Sequence, residues 1–438
     1  MVSGGLQNVS SPTESGLRKN ANDFEFASSD ERGFTSPMRL GLSCLFLLCL
    51  TSSFAYVVGR GQRMTAETGH CCLASEGYVF WNAARATVNG EDPYSDEITR
   101  ENNIFYYGSL DNARKYEPQR FAYPLFAVLP AVPFGWLSFQ GASRILILLF
   151  AVLAGVWAGW LRGLWNTRTL LYTGFIFASY PVFYDVVSLQ PTLLFLAAAI
   201  AGLALLRCHH ELLAAALLAF AMSKPQIVAP ILLPFVVEAI ESEQYRRFVA
   251  LVIAAEATLV LLAATLQRRW IAEWISATRD YATYSPKPMA YGWFGPAAPV
   301  ISAFVFLALL AILWLCRRSD PLFRVGLSVV ALYSLLPYRS YNAAVFIIPI
   351  IWLADNADRV RAGGALHELA LGFTRVAVVA LWVMTAVGAA LLWSSLWKIG
   401  FMLPVLALHI LFFSLCAVMF LQCGSELKAT PAPGAPQE

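Results

Sequence analysis

Charge is what this sequence has least of. Asp, Glu, Lys and Arg make up 13% of its 438 residues, against roughly 25% in an ordinary soluble domain. With 58% of residues hydrophobic and a mean hydropathy of +0.59, that scarcity excludes a soluble globular protein and requires an integral membrane protein. Basic runs are missing too, and a formal net charge of +3 is too small to hold a polyanion, so no nucleic-acid partner is expected. The eight cysteines are scattered, and without a CxxC pair or a neighbouring His pattern they make no zinc site. Cys44, Cys49, Cys316 and Cys416 fall in or beside apolar runs and read as small buried hydrophobes. The vicinal Cys71 and Cys72 read as two unpaired or partner-seeking thiols. Strict two-residue alternation is absent from the apolar runs, which excludes a β-barrel and leaves helices.

What is present is a series of apolar runs able to cross a hydrocarbon core of about 30 Å, which takes roughly 20 helical residues. Residues 1–37, rich in Ser, Asn, Gly and Asp, cannot bury enough surface to offset ordering and read as a disordered tail. The first span is 38–58, and Arg18, Lys19, Arg32 and Arg39 before it put the tail in the cytoplasm. Further apolar runs lie at 121–139, 141–161, 169–187, 191–206, 211–222, 225–238, 247–266, 298–316, 321–337, 341–354, 372–393 and 399–421. The first of these holds Pro124, Pro130 and Pro133, each of which removes a helix hydrogen bond. If it spanned, Arg162, Arg168, Arg207, Arg246, Arg247, Arg317, Arg318, Arg359 and Arg361 would all face outward. Taken as a Pro-broken segment on or re-entering the outer face, it leaves them inside.

The expectation is an all-α polytopic bundle of about twelve transmembrane helices. It occupies 38–423, with a flexible tail over 424–438 and both termini in the cytoplasm. A long outward loop over 60–140 carries juxtamembrane, interfacial helices. The spans 211–222 and 225–238 are short and meet at Lys224–Pro225, a form found where backbone lines a cavity.

The longest polar stretch between spans runs from Ser75 to Phe134, and such segments are where binding and catalytic groups gather. Glu76 is followed at three, four and seven residues by Val79, Phe80 and Ala83. That spacing puts its carboxylate on the apolar face of a short interfacial helix; the alternative is a solvated loop acid. Glu91, Asp92, Asp96 and Glu97 read as a turn around Pro93 rather than a metal cluster. Lys224 is an ionisable group between apolar runs, either functional or snorkelling to the interface. Arg339, among Tyr338, Tyr341 and Asn342, either holds a phosphate in its planar fork or anchors a helix end. Gln190 reads as a bond to a neighbouring helix or a ligand contact. Lys287, between Pro286 and Pro288, stands out from an interfacial belt containing Trp270, Trp274, Tyr281, Tyr284, Tyr291 and Trp293.

Taken in order, these stretches resemble glycosyltransferase family 87. They are Glu76-Gly-Tyr-Val-Phe-Trp-Asn-Ala-Ala-Arg, Gly90-Glu-Asp-Pro-Tyr94, Phe121-Ala-Tyr-Pro-Leu, Gln190, Lys224-Pro-Gln226 and Pro337-Tyr-Arg-Ser-Tyr-Asn342. The likeness covers roughly residues 70–355. It implies a GT-C-like enzyme similar to the polyprenol-phosphate-mannose-dependent mannosyltransferases, in the cytoplasmic membrane with its active site facing outward. The implied partners are a polyprenyl-phosphate sugar donor, a lipid or glycan acceptor and membrane lipids. No cofactor is implied, and a divalent metal is left open. Glu76 falls where the family carries an Asp proposed as catalytic base. Lys224, Lys287 and Arg339 would bind the donor phosphate, and Tyr123, Gln190, Gln226, Tyr338, Tyr341 and Asn342 the substrate. The departures are Glu for Asp at 76, Gln190 alone for a Gly-Gln-x-Asn turn, Tyr123-Pro124-Leu125 for Tyr-Pro-Pro, and Asn342 for Asp. Histidines that some members carry near the last motif are absent. The competing reading, a transporter or lipid-handling protein without chemistry, predicts inverted repeats and midplane charges along a two-sided path.

Overall fold

The computed structural model describes residues 51–63, 75–113, 118–143, 179–285, 287–337, 339–392 and 394–429, together with residues 48 and 145. Among them every regular element is helical. The chain opens with α1 (51–63), α2 (Ser75–Asn89) and α3 (Asp96–Tyr107). Next come α4 (Tyr180–Ser188), α5 (Thr192–Arg207), α6 (Glu211–Ala221), α7 (Pro225–Glu238) and α8 (Glu243–Leu266). The longer helices of the remainder are α9 (Trp270–Tyr284), α10 (Ala298–Leu315), α11 (Pro321–Tyr333), α12 (Ile347–Asp355), α13 (Ala365–Leu391) and α14 (Trp397–Ala429). Proline marks several starts: α4, α7, α10 and α11 each carry one in the first turn, where its missing N–H has no helical partner to lose.

Four helical stretches among the described residues are long and apolar enough to cross a membrane: Glu243–Leu266, Trp270–Leu315, Ala365–Leu391 and Trp397–Leu427. Shorter apolar helices are Thr192–Arg207, Glu211–Ala221, Pro225–Glu238, Pro321–Tyr333 and Asn342–Asp355. The long helices leave large apolar side chains open, such as Ile253, Leu261 and Phe304, which in a membrane protein are covered by lipid. The expected tail 1–37 and nearly all of the span 141–161 lie outside the described residues, as does 169–178 of the next span. Cys44, Cys49 and the Cys71, Cys72 pair also lie outside them.

Residues 121–138 form no membrane-length helix. Two 3₁₀ turns, Leu125–Val128 and Val132–Phe134, replace it, as three prolines in ten residues demand. Leu125, Phe126, Ala127 and Val128 are buried against α2 and α8, so this irregular backbone is enclosed by protein, where it is tolerated. The last helix differs from expectation in continuing past Gly424 to Ala429. Glu426 explains the extension, since it accepts from Gln422 Nε2 at 2.9 Å and pairs with Arg359 at 2.7 Å. The stretch 341–354 differs too: it begins as a 3₁₀ segment, Ser340–Phe346, and becomes α12 only at Ile347.

Following the helices back and forth sorts the polar groups into two ends. Helix α7 runs from Lys224 at its N-cap to Glu238 at its last residue, a rise of about 21 Å. At the Glu238 end, Arg324 meets Glu238 at 2.5 Å, Arg317 meets Glu241 at 2.7 Å, and Arg207 meets Asp320 at 3.9 Å. Arg247 meets Glu211 and Arg359 meets Glu426, both at 2.7 Å, at the same end. The Lys224 end receives the starts of α5 and α7 and the turn after α11, and its contents are of a different kind.

Candidate active site

Glu76 stands in the first turn of α2, where the unbonded N–H groups of a helix start favour a carboxylate. The helix is fixed by its buried side chains Val79, Phe80, Trp81, Ala83 and Ala84 and by Trp81 Nε1, which donates to the Phe134 carbonyl at 3.2 Å. The residue after Glu76 is glycine for a steric reason. A Cβ on Gly77 would lie 2.4 Å from the Leu189 Cβ, so glycine lets α2 rest on the turn that follows α4. That turn is tight: Leu189 is left-handed at φ 54°, and the Gln190 N–H returns to the Asp185 carbonyl at 2.8 Å.

Lys224 is placed by the break between two short helices. Its N–H bonds the Ala221 carbonyl at 3.0 Å, closing α6. Pro225 then starts α7 and bars Lys224 from helical backbone, leaving it at φ −125°, ψ 77°. The residue is 3% exposed, and its Nζ donates to Oγ1 of Thr192, the first residue of α5. The charges acting on it are those of Asp185, Glu76 and Arg339. Glu76, Asp185 and Arg339 act on Tyr123 as well. One electrostatic cluster therefore draws on α2, the 3₁₀ stretch, α4, the α6–α7 junction and the turn before Ser340.

Burial pushes the Lys224 ammonium down to about 8. The Asp185 and Glu76 carboxylates pull the other way and Arg339 adds to the depression. Desolvation holds the Tyr123 phenol well above its ordinary value, with the Glu76 carboxylate as the next cause. Tyr123 itself is clamped by aromatic neighbours. Tyr94 Oη donates to its carbonyl at 2.8 Å, and Trp274 Nε1 donates to Ala122 O at 3.1 Å. The Phe80 and Phe195 rings each lie 6.0 Å from its own.

Several other groups found in the sequence join this end. Gln190 and Asn342 are buried, and neither Gln190 Oε1 nor Asn342 Oδ1 has a hydrogen-bond partner among the described residues. Asn342 reaches the cluster through its N–H, which bonds the Arg339 carbonyl at 2.9 Å. Gln226 sits half-buried in the first turn of α7. Lys287 stands apart: it is exposed, with its Nζ 5.9 Å from the Tyr291 ring centre, and no described contact brings it to Glu76 or Lys224. Tyr338 and the Tyr341 side chain lie outside the described residues. The acids near Pro93 form a turn, with the Tyr94 N–H bonding Asp92 Oδ1 at 2.9 Å and Ser95 capping α3. Among the described residues, no group of three or more His, Cys, Asp or Glu side chains is placed to hold a metal ion.

Asp185 is the residue that reading the sequence passed over. It is fully buried, and neither carboxylate oxygen has a hydrogen-bond partner among the described residues. The signal was there, because an acid inside the apolar run 169–187 is costly unless paired or functional. The assembled end thus offers a carboxylate able to accept a proton, two cations able to hold an anion, and buried oxygen acceptors suited to hydroxyl donors. A family model described as Glycosyltransferase family 87 matches residues 121–337, a stretch that holds Tyr123, Asp185, Gln190, Lys224 and Gln226 and is flanked by Glu76 and Arg339. No curated protein and no solved structure matches the chain.

Proposed function

The chain belongs to glycosyltransferase family 87 and is a membrane glycosyltransferase, and on that premise we propose that its donor is a sugar, mannose first, carried on a polyprenyl phosphate. The acceptor is a lipid or glycan on the outer side of the cytoplasmic membrane, and the Lys224 end of a bundle of about twelve spans faces that side, with both termini in the cytoplasm. The observation that carries this reading is that Glu76 shares one electrostatic cluster with Lys224 and Arg339. A base and an anion site in one cluster match a transfer whose leaving group is a phosphate.

The chemistry runs as a single displacement. An acceptor hydroxyl attacks the anomeric carbon on the face opposite the phosphate, which inverts the configuration. Glu76 takes the hydroxyl proton as the new C–O bond forms. The bond from the anomeric carbon to the phosphate oxygen breaks, and its electron pair leaves on the phosphate, which needs no acid. Lys224 and Arg339 offset the charge gathering there. Gln190, Gln226, Asn342 and Tyr123, with Tyr338 and Tyr341, contact the sugar, and the buried Gln190 and Asn342 oxygens supply acceptors for its hydroxyls. Lys287, held over Tyr291 at the surface, is left out of this site.

The test is the purified protein in vesicles, offered polyprenyl-phosphate mannose, the corresponding glucose donor and nucleotide sugars with a membrane extract as acceptor. Transfer from a lipid donor with inverted linkage is expected. Transfer from the nucleotide sugar, or movement of lipid between leaflets with no glycoside formed, overturns the reading.

A further inference from the structure

A single ammonium enclosed at the α6–α7 junction is expensive unless another charge offsets it. Lys224 is 3% exposed, and the Thr192 hydroxyl that it bonds is neutral. The other groups facing it are Arg339, which worsens the cost, and the carboxylates of Asp185 and Glu76. Glu76 must accept a proton during each turnover and is partly open to solvent, so it cannot be a constant counter-charge. Asp185 can. It is fully buried, and among the described residues its oxygens hold no hydrogen-bond donor and Lys224 is the one cation that acts on it. The two residues are also tied through the backbone. The Gln190 N–H is bonded to the Asp185 carbonyl, and Thr192, two residues further on, receives the Lys224 Nζ.

We propose that Asp185 is a positioning residue for Lys224: its buried carboxylate keeps the ammonium charged and aimed into the site before the donor arrives. The proposal rests on the reading of Lys224 as a ligand of the donor phosphate. It also accounts for a carboxylate buried without hydrogen bonds among the described residues, a feature that would otherwise only weaken the fold. Asp185 acts through Lys224 and touches no reacting atom.

The sign of the effect follows. Only the protonated ammonium holds phosphate, so donor use falls as pH rises through the Lys224 value of about 8. Replacing Asp185 by Asn removes the carboxylate that favours the charged form, and the descending limb of kcat/KM for the donor moves to lower pH. A displacement of one unit lowers the charged fraction above the limb about tenfold. At pH 9 the donor KM should therefore rise by about that factor and at pH 8 by about half of it, while kcat at saturating donor changes little.

The experiment measures donor kcat and KM from pH 6 to 9 for wild type, Asp185→Asn, Asp185→Glu and Lys224→Ala in vesicles, using polyprenyl-phosphate mannose. Support is an acid-shifted limb in Asp185→Asn and its return toward the wild-type position in Asp185→Glu. If Lys224→Ala leaves donor KM unchanged, the phosphate-site reading itself fails. If Lys224→Ala raises KM but a folded Asp185→Asn keeps the wild-type limb, the present inference alone fails. Should Asp185→Asn give too little folded protein, the double variant Asp185→Asn, Lys224→Met should fold, because the stranded charge is gone. A double variant as unstable as the single overturns the inference.

Discussion

The two ends of this bundle handle their buried polar groups differently. At the Glu238 end, Arg207, Arg247, Arg317, Arg324 and Arg359 each meet an acid directly, at 2.5 to 3.9 Å. At the Lys224 end, the Asp185 carboxylate, Gln190 Oε1 and Asn342 Oδ1 are buried with no hydrogen-bond partner among the described residues. A buried polar group left unbonded costs about 1–3 kcal/mol, and folds accept that where a ligand completes the bonds. The arginine–acid pairs at one end anchor helices; the oxygens of Asp185, Gln190 and Asn342 at the other leave room for substrate. The contrast predicts that charge changes at the Lys224 end act on turnover, and that changes at the Glu238 end act on stability.

The largest effect is expected at Glu76. Removing a general base costs about 10²–10⁴-fold in rate, so Glu76→Gln should lower kcat by that amount with melting temperature and donor KM held. Glu76→Asp should keep part of the rate, since it preserves the carboxylate and shortens it by one methylene. Near wild-type turnover in Glu76→Gln removes Glu76 from the base role and with it half of the comparison.

Arg324→Met tests the opposite end. Arg324 is 2% exposed and pairs with Glu238 at 2.5 Å. Breaking a buried pair by deleting one partner costs about 3–5 kcal/mol, and the lower figure applies because Glu238 keeps some contact with solvent. Thermal unfolding in detergent should show the loss, with kcat per folded molecule unchanged. A fall in kcat at unchanged stability would mean that this end serves turnover after all.

How much of this was legible in the sequence depends on whether a signal was local. Pro124, Pro130 and Pro133 argued locally against a continuous helix over 121–139, and 3₁₀ turns stand there. Lys224–Pro225 also spoke locally, since a proline sets the backbone before it and an ammonium between apolar runs needs a reason. Lys287 between two prolines gave a similar signal, but the face of the Tyr291 ring provides it with a cation–π contact at the surface. Asp185 was hidden by averaging, because one acid barely lowers the hydropathy of an apolar run. Gly77 could not be read at all, since the residue that makes glycine necessary is Leu189, remote in sequence and adjacent only once α2 has docked.

Gly77 supplies the smallest of these effects and the sharpest geometric one. Gly77→Ala would put a methyl 2.4 Å from the Leu189 Cβ. A contact that close cannot be met by rotating a side chain, because both atoms are fixed to backbone. Either α2 lifts or the turn after α4 yields. Lifting α2 carries Glu76 away from Lys224, and a misplacement of about 1 Å can cost about 10²-fold in rate. Overpacking itself costs about 1–3 kcal/mol of stability. Gly77→Ala is therefore expected to lower kcat by up to about 10²-fold with a modest drop in melting temperature. Leu189→Gly should rescue it, because it removes the clashing Cβ and suits the left-handed φ of 54° at that position. Activity restored in the double variant ties the rate to the seating of α2 on the turn. A Gly77→Ala enzyme with full kcat would show that Glu76 does not depend on that contact for its placement.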